Sequence, residues 1–489
     1  MPDRHAQRTH LYQRFYQEVV DRIVSGDLRE GDILPSIVDI SGDYHIAVNT
    51  IRTAFEMLQR DGYIRSIKKK GTVVVRDQFS EEEIVTYLMQ RRTAYHDVCD
   101  LMAELLPRMA VFGASLCTER EMEQLWDVVE RFQGEGIPVR EFYKQWDNFL
   151  QILLIPLQNE RFSTLVRKAN RFVRFPLVVS HLHSDFLNLS KRKSPAAMRE
   201  MIQMIEERSF ERLGNKLRDS YQLTARQIEN YLSGFPDRAE TGCEVSFFGV
   251  FEKFSNLLYS QIATDLAYRI GIGLYPCGSY LPSQTELVER YGASITSVRN
   301  ALAVLSRFGM VQYDSGRGYC VHGEESAETQ ELPVEVSSPV FLRSLQVLIT
   351  TCQAVCRHAV MLVPVESIDF FEALDAKLYG KPEGILYSSS RLLMGLWIRE
   401  LPNPVMRELF LTLEVELTFT RHWVRRDADF DRAREEIHGL AHAAARCLRA
   451  RDAEGFGETL YRMLSRTAGY IKLLQERMGV ECSIPLPRT

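Results

Sequence analysis

The chain has 489 residues, 45% of them apolar and 26% charged, which is room for three or four domains with real cores and excludes disorder as the main state. Nine cysteines, an odd number, and an opening MPDRHAQRTH without a charged-then-apolar leader speak against a secreted disulfide scaffold and make a cytoplasmic protein the expectation. Arg343 and Arg357 interrupt the most apolar stretch, residues 340 to 365, so no membrane span is expected.

Residues 11 to 25 place Leu11, Phe15, Val19, Val20 and Ile23 at helical spacing, and Gly26 ends that helix. After Gly31-Asp32, Ser36 stands where an N-cap belongs. A short helix runs from there to about Asp43 and closes at a tight turn, Tyr44-His45. A second helix spans about Val48 to Arg60 and stops at Asp61-Gly62. Tyr63 to Ile67 and Thr72 to Val75 are β-rich runs joined by Lys68-Lys69-Lys70-Gly71, a hairpin. Three helices and a two-stranded wing make a winged helix-turn-helix over residues 1–79. Residues 80–235 hold few glycines and place apolar residues such as Ile202, Ile205 and Leu213 at helical spacing, which predicts an all-α domain. A polar stretch from Ser233-Gly234-Phe235-Pro236 to Cys243 follows.

The winged pattern then returns at a constant offset of 247 residues, without a gap. Tyr12 meets Tyr259, Arg22 meets Arg269, Gly26 meets Gly273, and Leu34-Pro35-Ser36 meets Leu281-Pro282-Ser283. Arg52 meets Arg299, Leu58 meets Leu305, Gly62 meets Gly309 and Gly71 meets Gly318. The shared residues shape a backbone, so residues 248–323 are read as a second winged domain. A polar stretch from Gly323 to about Ser338 leads into a second all-α domain, residues 337–480, with Leu440, Leu448 and Leu460 at helical spacing. The fold class expected is mainly α, two winged domains alternating with two helical bundles.

Sixty basic against 65 acidic residues give a net charge of −5, a sum that alone speaks against a nucleic-acid protein. Its distribution reverses that reading. Residues 1–79 hold 12 basic and 11 acidic residues and residues 248–323 hold 6 and 5, which leaves −7 on the rest. Acidic effector regions beside near-neutral binding modules suit a regulator, and two weak modules in one chain raise the effective concentration of the second contact.

At these residues the chain resembles the GntR family of bacterial transcription regulators. Copy one carries Ile23, Gly26, Leu28, Gly31, Leu34-Pro35-Ser36, then Thr50-Ile51-Arg52-Thr53-Ala54-Phe55, Leu58 and Gly62. Copy two carries Gly278, Leu281-Pro282-Ser283, then Ser297-Val298-Arg299-Asn300-Ala301-Leu302, Leu305 and Gly309. The resemblance implies a recognition helix whose N-terminal residues face base edges in the major groove. Asn49, Thr50 and Arg52 occupy that end in copy one; Thr296, Ser297 and Arg299 do so in copy two. Arg forks onto guanine or phosphate and Asn pairs with adenine, while the cap serines Ser36 and Ser283 orient on phosphate. Lys68, Lys69, Lys70 and Gly71 are expected to place one wing against the DNA backbone or minor groove, and Arg317 and Gly318 belong to the other. Val38, Thr285, Val48 and Ile295 stand where many members carry arginine. With unlike reading residues in the two helices, the expected partner is a double-stranded operator with unlike half-sites.

The helical segments resemble the all-α effector domains of the FCD branch of that family. Glu104 with Pro107, Thr118 to Leu125, and Asp147-Asn148-Phe149-Leu150-Gln151 leading to Asn159 carry the likeness in the first, and Leu448 to Asp452 in the second. Many such domains hold a metal through one Asp and three His. Here Gln151 replaces the first histidine and the later positions fall near Ala441 and Met463. His438 and His442 lack a third ligand, and His181 and His183 and the Cys352…Cys356 pair fare no better, so no metal and no cofactor is expected. Arg108, Asp147 and Asn159 are the candidate polar residues of an effector pocket.

The function expected is an effector-responsive transcription regulator acting on DNA, as a monomer with two heads or as a homodimer. With no phosphate-cradling glycine loop, nucleophile elbow or carboxylate pair, no enzyme is expected. Two alternatives stand beside it. One is a scaffold whose second winged domain mediates protein contacts; the other is a regulator fused to an aminotransferase-like enzyme, for which the second winged domain leaves no room.

Overall fold

A computed structural model describes residues 11–44, 48–131, 139–174, 195–235, 247, 258–271, 274–293, 295–307, 310–322, 334–380, 388–419, 428–479 and 484–487. Most of both polar linkers, His45 and the pair His181 and His183 lie outside the described residues. The chain divides into two compact units, residues 1–154 with 163–250, and residues 155–162 with 251–489.

The first unit opens with α1 (Leu11–Val24), β1 (Ile33–Leu34), α2 (Ile37–Tyr44), α3 (Val48–Arg60), β2 (Ile64–Ile67) and β3 (Gly71–Val74). Helix α1 buries Phe15, Val19, Val20 and Ile23, spaced as one helical face, and α3 buries Ile51, Ala54, Phe55 and Leu58. The two faces meet, with the Phe15 and Phe55 rings stacked 6.2 Å apart. Each such side chain contributes roughly 1.5–3 kcal/mol of transfer free energy, far more than helix propensity supplies. Gly26 stops α1 at φ +76°, a left-handed turn that strains any residue with a Cβ.

The sheet has three strands in the order β1-β3-β2, all antiparallel, where two were expected. Pro35 biases Leu34 to the extended conformation, and Ile33 and Leu34 then pair with Val73 and Thr72. The Gly31 amide donates to the Val74 carbonyl at 2.9 Å, and the Val74 amide to the Asp32 carbonyl.

Among the described residues seven α-helices follow: α4 (Glu81–Met89), α5 (Arg92–Ser115), α6 (Glu119–Glu130), α7 (Val139–Leu154), α8 (Glu160–Phe172), α9 (Pro195–Glu206) and α10 (Phe210–Leu232). The long helices α5 and α10 pack along one another, burying Leu101, Leu105 and Met109 of one and Leu213, Leu217 and Ile228 of the other. Two ionic joints tie this bundle to the winged domain. Asp21 of α1 accepts from Arg91 at 3.0 Å and from the Tyr87 hydroxyl at 2.8 Å, with Arg91 only 1% exposed. Asp27, just past α1, accepts from Arg171 Nε at 2.6 Å and from Arg174 Nη1 at 2.8 Å.

The second unit repeats the winged pattern with α11 (Leu258–Gly271), α12 (Gln284–Tyr291), α13 (Ile295–Arg307), β4 (Val311–Asp314) and β5 (Gly318–Val321). Ile262, Leu266, Val298, Leu302, Leu305 and Val321 are among its core. Here the third strand shrinks to a single bridge between Tyr280 and Cys320. The bundle that follows comprises α14 (Val334–Val355), α15 (Arg357–Val360), α16 (Val365–Leu378), α17 (Ser389–Arg399), α18 (Pro404–Phe419), α19 (Ala428–Ala450) and α20 (Ala453–Met478). Trp397 packs edge-on against Phe410 and Phe456 at its centre. The fold is mainly α, with small antiparallel sheets at the two wings. Among the described residues no helix is long and apolar enough to cross a membrane.

Candidate nucleic-acid interface

Burying Ile51, Ala54, Phe55 and Leu58 leaves the opposite face of α3 to solvent, and Asn49, Arg52 and Thr53 are exposed on it while Thr50 is half-buried. Asn49 and Arg52 lie one turn apart, and Arg52 Nη1 donates to Asn49 Oδ1 at 2.8 Å. The pair is assembled before any ligand arrives. One of the five guanidinium donors is engaged, and the amide keeps its own two donors for a base or phosphate.

In α13 the buried face is Val298, Ala301, Leu302 and Leu305, with Ser297 half-buried and Arg299 exposed. The side chain of Thr296 lies outside the described residues. Arg299 Nε donates to Gln284 Oε1 of α12 at 3.1 Å; copy one has Ile37 at the position of Gln284. Matched arginines are therefore held differently, one within its own helix and one across to the neighbouring helix.

Ser36 and Ser283 cap helices. Ser36 Oγ accepts from the Asp39 amide at 3.1 Å and donates to the Asp39 carboxylate at 2.7 Å. Ser283 Oγ accepts from the Glu286 amide, while its own amide donates to Glu286 Oε2 at 2.7 Å, holding that carboxyl below its usual acidity range. A carboxylate thus already stands at each helix N-terminus, where it competes with phosphate for the dipole.

Lys68, Lys69 and Lys70 form the exposed tip of the first wing, closed by the Lys70 amide donating to the Ile67 carbonyl at 3.0 Å. Lys69 has φ +67°, and its counterpart in the second wing is Gly316 at φ +83°. Gly71 and Gly318 follow at φ +99° and +107°. A side chain in the left-handed region costs of order 1–2 kcal/mol, and glycine gives back about 0.4–1 kcal/mol in unfolded-state entropy. Lys69→Gly is therefore expected to raise stability by roughly 0.5 kcal/mol while weakening DNA binding. Urea unfolding beside a mobility-shift titration checks it, and parallel losses would show the lysine to be structural. In the second wing Arg317 shares a hydrogen bond with the Tyr280 hydroxyl, which itself donates to Asp314 at 2.7 Å.

Exposed apolar side chains stand among these polar ones. Val38 is 70% exposed, and Val48 and Ile295 are also open to solvent at the first positions of α3 and α13. Sequence reading treated them as missing arginines; their surface is apolar contact area.

Each of the three candidate pocket residues has polar partners of its own. Asp147 Oδ1 accepts from Asn170 at 2.9 Å and Oδ2 from Arg174 at 2.5 Å, and Tyr221 donates to Asn170 Oδ1. Arg108 pairs with Glu104 one turn away at 3.8 Å. Asn159, which belongs to the second unit, caps α8, its Oδ1 accepting from the Phe162 amide at 3.1 Å, and donates to the Arg343 carbonyl and Gln346 Oε1 of the same unit. Arg174 and Asp27 escaped sequence reading, because 147 residues separate them. The only local sign was the run Arg167, Arg171, Arg174 at helical spacing.

The one-Asp, three-His metal arrangement implied by the resemblance does not fit. Gln151 donates to the Ser163 carbonyl and accepts from Arg167, Ala441 and Met463 are buried apolar residues, and Asp147 is paired with Arg174.

A sequence profile described as bacterial regulatory proteins, gntR family, matches residues 11–74 and 258–321. The first match runs from the start of α1 to the end of β3 and the second from the start of α11 to the end of β5. The chain is 40% identical to the uncharacterized HTH-type transcriptional regulator Rv0494 of Mycobacterium tuberculosis over 65 residues, 13% of this chain and 27% of that protein. It is 27% identical to the Exu regulon transcriptional regulator of Escherichia coli over 161 residues, 32% of this chain and 61% of that protein. With the Uxu operon regulator of Haemophilus influenzae it shares 35% over 85 residues, 17% of this chain and 32% of that protein. The chain thus spans between about a quarter and three-fifths of the length of these relatives. Among solved structures, E. coli McbR/YncC matches 44% of this chain and 98% of its own at 19% identity, with a TM-score of 0.23. At that score the likeness adds nothing to the fold described above.

Proposed function

We propose that this chain, whose two winged helix-turn-helix domains belong to the gntR family of bacterial regulatory proteins, is a cytoplasmic DNA-binding transcription regulator that answers a small-molecule effector taken up by its helical domains. One observation carries the reading: two recognition helices at one register, each with an arginine exposed opposite its buried face, at Arg52 and Arg299. A polar, cationic face on a helix of this size suits the major groove, and the lysine tip of the first wing suits the phosphate backbone. The relatives above are regulators by name. The Exu regulon match spans 161 residues, more than twice either winged match, so it extends beyond a winged domain and supports a helical partner for it.

The organisation proposed is a winged domain at 1–79, a helical domain at 80–235, and the same pair at 248–323 and 337–480. Two heads in one chain supply what a dimer of single-headed chains supplies, so one chain suffices for one operator. The half-sites differ. Asn49 and Arg52 suit adenine and guanine, while Val48 and Ile295 offer apolar surface to thymine methyl groups rather than a second arginine fork. The test is selection of genomic fragments by the full-length chain at physiological salt. Enriched fragments are expected to share two unlike half-sites, with Arg299→Ala relaxing the preference at one of them only. No enrichment over random fragments sinks the proposal.

A further inference from the structure

Helix α8 belongs to both compact units: residues 160–162 lie in the second and the rest in the first. Its start is keyed into the second bundle. Asn159, which caps it, donates to the Arg343 carbonyl at 3.0 Å and to Gln346 Oε1 at 2.9 Å. Gln346, fully buried on α14, returns a bond to the Leu157 carbonyl at 3.0 Å and holds the Pro485 carbonyl at 2.7 Å. Arg343 Nε donates to the Gln158 carbonyl at 3.0 Å. Arg161, in the first turn, pairs with Glu416 of α18, whose side chain is 3% exposed and also accepts from the Ser344 hydroxyl at 2.5 Å.

The other end holds the first head. Arg171 and, just past the last turn, Arg174 clasp Asp27 at the end of α1. The helix between them has thirteen residues, about 20 Å, and buries Leu165, Val166 and Ala169. A packed helix shifts as a unit, because a dense interior does not absorb the displacement of one end. A change in how the second bundle grips Asn159 and Arg161 therefore reaches Arg171 and Arg174.

The second unit repeats the corner without the clasp. Asn403 caps α18 as Asn159 caps α8, its Oδ1 accepting from the Met406 amide at 2.9 Å. Aligning the two caps matches Leu157 with Leu401 and Leu165 with Leu409, all of them buried. In that register Val415 and Thr418 stand for Arg171 and Arg174. Leu274, 58% exposed, stands for Asp27, and Tyr268 for Asp21. The second head thus has neither of the aspartates that tie the first to its bundle. We propose that α8 is a coupling rod through which the second bundle sets how firmly the first head is held, so that the first head is regulated and the second is not. Its regulatory meaning rests on the proposed function; the coupling itself is measured without DNA.

Hydrogen exchange of the full-length chain is the test, with α1 as the distant reporter. Glu416→Gln and Gln346→Met, both in the second unit, are expected to speed exchange of the α1 amides about tenfold, while those of α11 keep their rates. Phe371→Leu, a core change on α16, which bears no residue of the corner, is expected to leave α1 as it was. On an Asp27→Ala background, where the clasp is already open, Glu416→Gln is expected to add nothing, as two changes along one path do not add. Glu416→Gln is the deciding variant, since it keeps a neutral acceptor for Ser344 even if Gln346→Met fails to fold. Unchanged α1 rates in it overturn the rod. So do equal rises in α1 and α11, a matching rise in Phe371→Leu, or a full further rise on the Asp27→Ala background. If selection of genomic fragments finds no operator while α1 still answers Glu416→Gln, the regulator reading falls and the coupling stands.

Discussion

Replacing Arg52, Lys68, Lys69 and Lys70 together with alanine takes operator binding down to the nonspecific level at physiological salt, while the unfolding midpoint barely moves. The four side chains are exposed, and the bond from Arg52 to Asn49 joins two surface residues. Surface changes of this kind stay within about 0.5 kcal/mol of stability. Affinity falls for two separable reasons. Arg52→Ala alone removes a fork worth about 1–3 kcal/mol at one base pair, so discrimination at that position relaxes. The triple lysine variant loses phosphate contacts instead, and the slope of log affinity against log salt flattens by about 0.9 for each lysine that contacts a phosphate. Mobility-shift titrations at several salt concentrations tell the two apart. Affinity unchanged in the quadruple variant removes the first head from the DNA, and the proposed function goes with it.

What the sequence made legible is what a short stretch of backbone decides. Gly26, Gly31, Gly62, Gly71, Gly278, Gly316 and Gly318 all sit at positive φ, and it is these turns, with the Leu-Pro-Ser corners and the buried faces of α1 and α3, that repeat across the two copies. A duplicated winged domain could be read because each of its constraints lies within a few residues. Strand β1 could not, since two residues become a strand only by meeting Val73 and Thr72 some forty positions later. The cap serines show a subtler limit. Ser36 and Ser283 were rightly placed at helix starts, yet Asp39 and Glu286 take up their hydroxyl and amide, and nothing in a motif says whether a helix end answers its own side chain or a phosphate. The largest omissions are the ionic ones. Asp375 reaches His442 across 67 residues and Asp27 reaches Arg174 across 147. Periodicity places each residue on a face but gives no account of which face meets which.

The joint at Arg174 carries the other large effect. Its side chain is 5% exposed and lies between two carboxylates, at 2.8 Å from Asp27 and 2.5 Å from Asp147, with the Tyr143 ring 5.0 Å from its guanidinium carbon. Removing one partner of a buried ion pair costs about 3–5 kcal/mol, chiefly because a charge is left without compensation. In Arg174→Met, Asp147 loses the guanidinium and keeps the Asn170 amide, whereas Asp27 retains Arg171 at 2.6 Å. The expected loss is therefore about 3 kcal/mol, the lower end of that range. Arg171→Met is the control: its side chain is 28% exposed, and pairs of that kind contribute about 0–1 kcal/mol. Asp27→Asn combined with Arg174→Met is expected to cost less than the sum of the two by at least about 1 kcal/mol, since both remove the same contact. Urea unfolding gives all four values, and limited proteolysis reports whether the winged domain has come loose from the bundle that Arg174 ties it to. Equal, small losses in Arg174→Met and Arg171→Met would mean that the Asp27 joint contributes little and that hydrophobic packing and the Asp21–Arg91 joint hold the head to its bundle. An effector in that bundle would then have no ionic route through Asp27 to α1.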